Sequence, residues 1–359
     1  MHLKFLLYTL LISLCTQGQE RVVLDRRTDN GLYIKDATMF IGPGDTVQLT
    51  GKYTSFKIYN IHGTKERPIV FINKGLVVID GGMNNMIILS GSNFKFLGNG
   101  DTKYKYGIHI SPGKMLYPYF GVQIENATNI EVAFCDISKV TNGILQVPAA
   151  AAPAALDCSF HDNYIHDIGD SIRQKSSSAI LLGNAIHSFS MDNCSIKDNI
   201  LENLAGDGIQ VINGTFNIEN NQLKNFGKAN MPSCRSGIVL GEAATGNILH
   251  NELDSADGTA LLILGHGKIE VKNNTFRNIH CKDPAASNIV FIQTKQSQAK
   301  QLAPLNISFQ NNKVTASTAD NVVCNATPPT LTAGSVFSNN TISGSFKKKF
   351  KLTSKDVLK

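Results

Sequence analysis

Several things are missing from this sequence. It has no Trp, no CxxC pair and no His/Cys cluster at zinc spacing, so nothing in it reads as a structural metal site. Charged residues make up 17% against 42% hydrophobic ones, the reverse of the composition of a disordered chain. Only one uninterrupted apolar run exists, residues 5–14, and it is too short to span a bilayer. Nothing beyond it shows helical periodicity.

A basic binding surface is missing too, once the charge is located. The formal net charge of +6 taken alone points to an anionic partner. Residues 1–18 combine Lys4, the apolar run and small residues at Thr16 and Gly18, and read as a secretory signal cut before Gln19. Cys15 raises lipidation, but Leu14 stands where a small residue would precede a lipidated Cys. Residues 346–359 hold six Lys and one Asp and read as a basic tail, either a solvated end or a tether to anionic cell-surface polymer. Residues 19–345 then carry 27 basic and 27 acidic side chains. No nucleic-acid partner is expected of so neutral a body.

What is present is a repeat. The pattern apolar–x–apolar–x–x–Asn–x–apolar recurs as CSFHDNYI, CSIKDNIL, FNIENNQL, GNILHNEL, IEVKNNTF, ISFQNNKV and SVFSNNTI, with Asn at 163, 199, 221, 251, 274, 312 and 340. An eighth copy, IEVAFCDI, has Cys135 in the Asn position. The spacing has a floor of 22 residues with variable excess, which means a fixed coil with loops inserted at particular corners. Apolar residues alternate with period two, the strand signature. A second apolar strand follows each Asn, and Gly, Asn and Asp punctuate the corners. Strands one coil apart with no helix between them pair in parallel. The inner Asn residues are then expected to stack about 4.8 Å apart as an amide ladder.

This repeat resembles that of the right-handed parallel β-helix proteins, the pectate-lyase-like superfamily, and in particular secreted bacterial β-helix-repeat proteins. The resemblance implies an all-β solenoid over residues 19–345, with about ten to twelve coils. It implies export to the periplasm, the exterior or the cell surface, and a polysaccharide as partner. The fold does not set the activity, because activity lies in sites placed on the fold. The segment LLILGHGKIEVKNNTF resembles the Arg-His-Gly segment of alginate- and dermatan-cleaving lyases of this fold, but Gly265 stands in place of the Arg. The preceding corner, GEAATG, holds no Lys. His266 in GHG also resembles a polygalacturonase element, without the paired aspartates of that family, and fits a tight corner.

Of the six Cys after the signal, Cys135, Cys158, Cys194 and Cys324 fall at inward positions as buried small hydrophobes. Only Cys234 and Cys281 lie in loops, which leaves a bridge between them open.

Three surfaces can carry function. The outward positions of the post-Asn strand, His166, Glu202, Lys224, Asp254 and Arg277, form a polar row of alternating sign on five coils. It reads either as a ladder of opposite charges or as a groove. In the groove, Lys224 or His166 removes the proton α to a uronate carboxylate and Arg277 neutralises that carboxylate. Glu202 and Asp254 are then substrate contacts. The long corner insertions bring Arg173, Lys175, Arg235 and Lys282 to one edge, where an acidic glycan would bind. The outward face of the second apolar strand, through Leu145, Leu181, Gln210, Val239, Leu262, Val290 and Ile292, is apolar and is expected to need cover, by a loop or a second subunit. No cofactor is implied except calcium, and that only for a lyase. The reading is therefore a secreted protein that binds or degrades an acidic polysaccharide, by β-elimination if catalytic. The alternative is a non-catalytic surface or matrix protein that binds glycan or a protein partner through its loops.

Overall fold

The computed structural model describes residues 22–24, 32–35, 41–54, 56–81, 85–112, 120–147, 155–169, 177–182, 191–228, 236–281, 287–294 and 302–359. The signal segment and Cys15 lie outside them. The described strands join one 28-stranded sheet system and a separate two-stranded pair. Among the described residues every strand pairing is parallel, and the one helical element is the single 3-10 turn Pro329–Leu331.

The chain winds through three faces per turn. On the first face the register column runs Val23, Val47, Phe71, Phe96, Val132, Phe160, Ile196, Ile218, Ile248, Val271, Phe309, Phe337, Leu358, thirteen rungs in all. The second face follows the Asn corner, with Ile137, Ile165, Leu201, Leu223, Leu253, Phe276 and Val314 in one inward column. The third carries Ile144, Ile180, Ile209, Ile238, Leu261, Val290 and Val323. From Val47 to Phe337 these inward side chains are essentially inaccessible, whereas Leu358 on the terminal coil is exposed, so each coil buries its apolar residues against its neighbours.

The Asn repeat forms the first corner. From Asn163 to Asn340 each side-chain amide donates to the next Asn Oδ1, at 2.9–3.2 Å. The same oxygens accept a backbone N–H from the coil before, beginning with Cys135 N to Asn163 Oδ1 at 3.1 Å. The residue ahead of each Asn, such as Asp162, Asp198, Asn220 or His250, sits in the left-handed region with φ of 51–58°. Asp and Asn tolerate that conformation better than most side chains, which is why the corner reads D-N or N-N in sequence. A buried turn leaves backbone groups unpaired, and the stacked amides satisfy them along the whole molecule.

The structure departs from four expectations. The basic segment 346–359 is part of the solenoid. Thr341–Lys351 is a strand paired with Lys313–Asn325, and Val357–Leu358 pairs with Val336–Ser338. Phe346 and Phe350 pack against the core; four residues apart, they share one strand face, a period that the intervening lysines hide. On the third face, Val290 and Ile292 point inward and are buried. The outward column instead passes from Leu262 to Phe291 and then to Cys324, so Cys324 is buried on the outer face. That column is also less open than its sequence implies. Leu145 and Val239 are 5% and 6% exposed, and Leu181, Leu262 and Phe291 are half-buried. Cys135, Cys158 and Cys194 are core residues as expected. The Cys281 thiol donates to the carbonyls of Gly258 and Asn288, both at 3.1 Å. Cys234 lies outside the described residues.

Candidate functional site

The second face, just past the Asn corner, carries the polar row. Its register is continuous, His166 opposite Glu202, Glu202 opposite Lys224, Lys224 opposite Asp254 and Asp254 opposite Arg277. The Asn corner fixes this phase, because the third residue after each Asn points out on every coil.

The five side chains differ in what they already hold. Arg277 donates to Glu252 at 2.6 Å and Asp254 at 2.8 Å. Burial would raise the Asp254 carboxyl, but hydrogen bonds from Arg277, Asn278 and Ser255 outweigh it and hold that group low. Glu202 accepts from the Tyr164 hydroxyl at 3.1 Å. His166 lies between Asp136, 3.0 Å from Nε2, and Asp167, 2.8 Å from Nδ1. Its burial favours the neutral ring, yet the two carboxylates win and raise its pKa. Among the described residues, Lys224 is the only cation of the row with no carboxylate within ion-pair distance.

An aromatic group adjoins the row. Tyr164 stacks on His166 with ring centres 4.2 Å apart and on Tyr106 at 5.8 Å. Burial and the neighbouring Glu202 push the Tyr164 hydroxyl up to about 12. Two residues before the Asn corner, His161 repeats the clamp of His166, with Glu131 at 3.0 Å and Asp162 at 2.8 Å. The His161 bond, against some burial and with help from Lys95, lowers Glu131 to about 2. The row was readable from sequence, but Tyr106, Tyr164, Asp136, Glu131 and His161 were not assigned. The twofold His-Asp step in SFHDNYIHDI was the available signal.

Arg173, Lys175, Arg235 and Lys282 lie outside the described residues. His266 is buried, with Nδ1 3.3 Å from the Ala303 carbonyl, and Gly267 beside it has φ 69°, as the tight-corner reading requires. At Gly265 a Cβ would run into the Ala244 carbonyl oxygen, so the position compared with a lyase Arg has no room for any side chain. No group of three or more His, Cys, Asp or Glu among the described residues is placed to hold a metal.

A solenoid of parallel coils with an inner Asn ladder and a polar outer row is a parallel β-helix. The chain belongs to the family described as "Right handed beta helix region", whose model matches residues 46–276. Among solved structures it is similar to an alginate lyase from Paenibacillus sp. str. FPU-7. The identity is 16% over 87% of this chain and 93% of that one, with a TM-score of 0.55. It is also similar to a GH136 lacto-N-biosidase from Eubacterium ramulus, at 13% identity over 89% of this chain and 62% of that one, with a TM-score of 0.53. These similarities concern the fold. No curated protein sequence matches the chain.

Proposed function

We propose that this chain is an exported glycan-binding protein that holds an acidic polysaccharide along the outer row of its second face. The observation that carries the reading is the pairing pattern of the row. Lys224 remains available to a carboxylate, between Glu202 and Asp254 whose oxygens can accept sugar hydroxyls, and the Tyr106–Tyr164–His166 stack borders it. Aromatic faces beside hydrogen-bonding groups suit a sugar ring, with one apolar surface and a polar edge. Both fold neighbours are named for action on glycans, which supports the same substrate class.

β-Elimination is the second reading, and Lys224 again favours it. An amine without a carboxylate partner is the residue of the row suited to take an α-proton, if its ammonium is deprotonated near the substrate. Two features oppose it. Arg277, the expected neutraliser, already answers to Glu252 and Asp254, and His166 has both ring nitrogens engaged by Asp136 and Asp167, which favour its protonated form. Among the described residues no group of three or more His, Cys, Asp or Glu is placed to hold calcium. Self-association on the half-buried outer residues Leu181, Leu262 and Phe291 stays part of the proposal.

The test is incubation of the purified protein with alginate, pectate and dermatan, followed by ultraviolet detection of unsaturated ends, reducing-end assay and affinity electrophoresis. Retardation without new ends supports the binding reading. Unsaturated product that disappears in Lys224→Gln supports elimination. Neither retardation nor product on any of these polymers overturns both.

A further inference from the structure

The last coil carries an unneutralised charge that the outer row does not use. In the strand Thr341–Lys351, Phe346 and Phe350 pack against the core, so the alternation turns Lys347, Lys349 and Lys351 to the opposite side, all exposed. Residues two apart on one strand are about 6.6 Å apart, which makes a short cationic rail. Lys347 pairs with Asp320 at 2.9 Å, whereas Lys349 and Lys351 have no ion pair among the described residues. The acid nearest in sequence, Asp356, is occupied. It accepts from the backbone N–H groups of Thr353 at 2.8 Å and Ser335 at 3.0 Å, and from Asn325 at 2.9 Å.

Beside Lys347 lies a cavity of about 390 Å³. Its wall includes the hydroxyl residues Ser287, Thr318 and Ser345 together with Asp320, Phe346 and Lys347. It is an open surface depression and not an enclosed pocket. Lysines at the open edge of a sheet system also discourage edge-to-edge pairing. Edge protection accounts for the lysines, and Thr318 and Ser287 also bond to His280, Cys281 and Asp320, but neither accounts for the open depression against the Phe346 ring at the head of the rail.

We propose that this C-terminal coil is a second glycan site, in which a sugar ring of an acidic polysaccharide enters the cavity and successive acidic groups lie along Lys347, Lys349 and Lys351. The inference takes its polymer class from the function proposed above and places binding at a different part of the molecule. Like charges held close along a strand repel one another, and a polyanion relieves this by replacing condensed counterions. Binding here is therefore expected to weaken steeply with salt.

The test uses the full chain in gels containing alginate, with dextran as a neutral control, over a salt series. The double variant Lys349→Gln, Lys351→Gln breaks no ion pair and leaves Phe346 and Phe350 in place. It is expected to weaken retardation by alginate at least tenfold and to flatten the salt dependence, while Lys349→Arg, Lys351→Arg keeps both. A parallel Lys224→Gln variant separates the two sites. Loss in the Gln double supports the cap site, whether or not Lys224→Gln also loses binding. Wild-type retardation in the Gln double overturns the cap site, and loss in Lys224→Gln alone then leaves the row as the binding face. Equal retardation by single-stranded DNA with the same salt dependence also overturns the cap site as a glycan site, since it shows polyanion attraction without sugar recognition.

Discussion

Arg277 and Asp254 face each other across one coil step, and the guanidinium donates to the carboxylate at 2.8 Å while also reaching Glu252 at 2.6 Å. An arginine so placed has little charge left to offer a substrate. Solvent screens exposed pairs of this kind, so the arrangement is a modest coil-to-coil clip. Arg277→Gln is expected to lower the melting temperature by only a degree or two and to leave alginate retardation within about twofold of wild type. A tenfold loss of retardation, measured by affinity electrophoresis, would put Arg277 in the binding site.

The Asn ladder gives the sharpest stability contrast. Asn221 accepts from Asn199 and donates to Asn251 inside the core, whereas Asn340 ends the ladder. Asn221→Ala strands buried donors and acceptors on both sides, at about 3 kcal/mol or more. Asn340→Ala is expected to cost about 1 kcal/mol. Urea unfolding of the two variants checks this, and equal costs would mean that the ladder does not act as a chain.

Proton linkage is readable in two clamps. His161 and His166 have raised pKa values in the folded state. Their contribution is fully present below the unfolded value of 6.5 and is lost as pH rises through the folded value. Glu131 works on the other side. Its stabilisation is complete above 4.5 and is lost as pH falls toward about 2. The melting-temperature gap between wild type and His161→Gln, His166→Gln is thus expected to be widest near pH 5–6 and to shrink by pH 9. A gap independent of pH would contradict charged histidines.

Asp207 titrates in the opposite sense. Burial raises it to about 7, although the Ser236 N–H donates to it at 2.7 Å. The folded chain binds this proton more tightly than the unfolded one, so stability falls between pH 3.8 and 7 and stays lower above. Asp207→Asn keeps an acceptor for Ser236 and cannot ionise. It is expected to be more stable than wild type at pH 8, by up to about 4 kcal/mol, and equally stable at pH 4. A melting curve at each pH decides the point.

Much of this was legible in sequence because the solenoid is nearly one-dimensional. The phase set by Asn163, Asn199, Asn221, Asn251 and Asn274 predicts which residues share a face, and the row from His166 to Arg277 emerged in exact register. Register within a row does not say which partners a side chain takes, so Arg277 turning also to Glu252, on the strand of Asp254, was not readable. Phase also fails where an insertion intervenes. Counting onward from Leu262 across the corner before Asn288 misplaced Val290 by one residue, which exchanges the inner and outer faces. At the C-terminus, composition overrode periodicity, and the lysines of FKKKFKL masked the two phenylalanines that seat the last strand. The Tyr106–Tyr164 contact joins residues far apart in sequence and left no local pattern.

In the proposed function the outer row of the second face binds an acidic glycan through Lys224. Calorimetric titration of alginate oligosaccharides too short to reach the C-terminal coil tests it most directly, comparing wild type with Lys224→Gln. About tenfold weaker binding in the variant, near 1.4 kcal/mol, is the expected result. Equal affinity in the two proteins would contradict the claim.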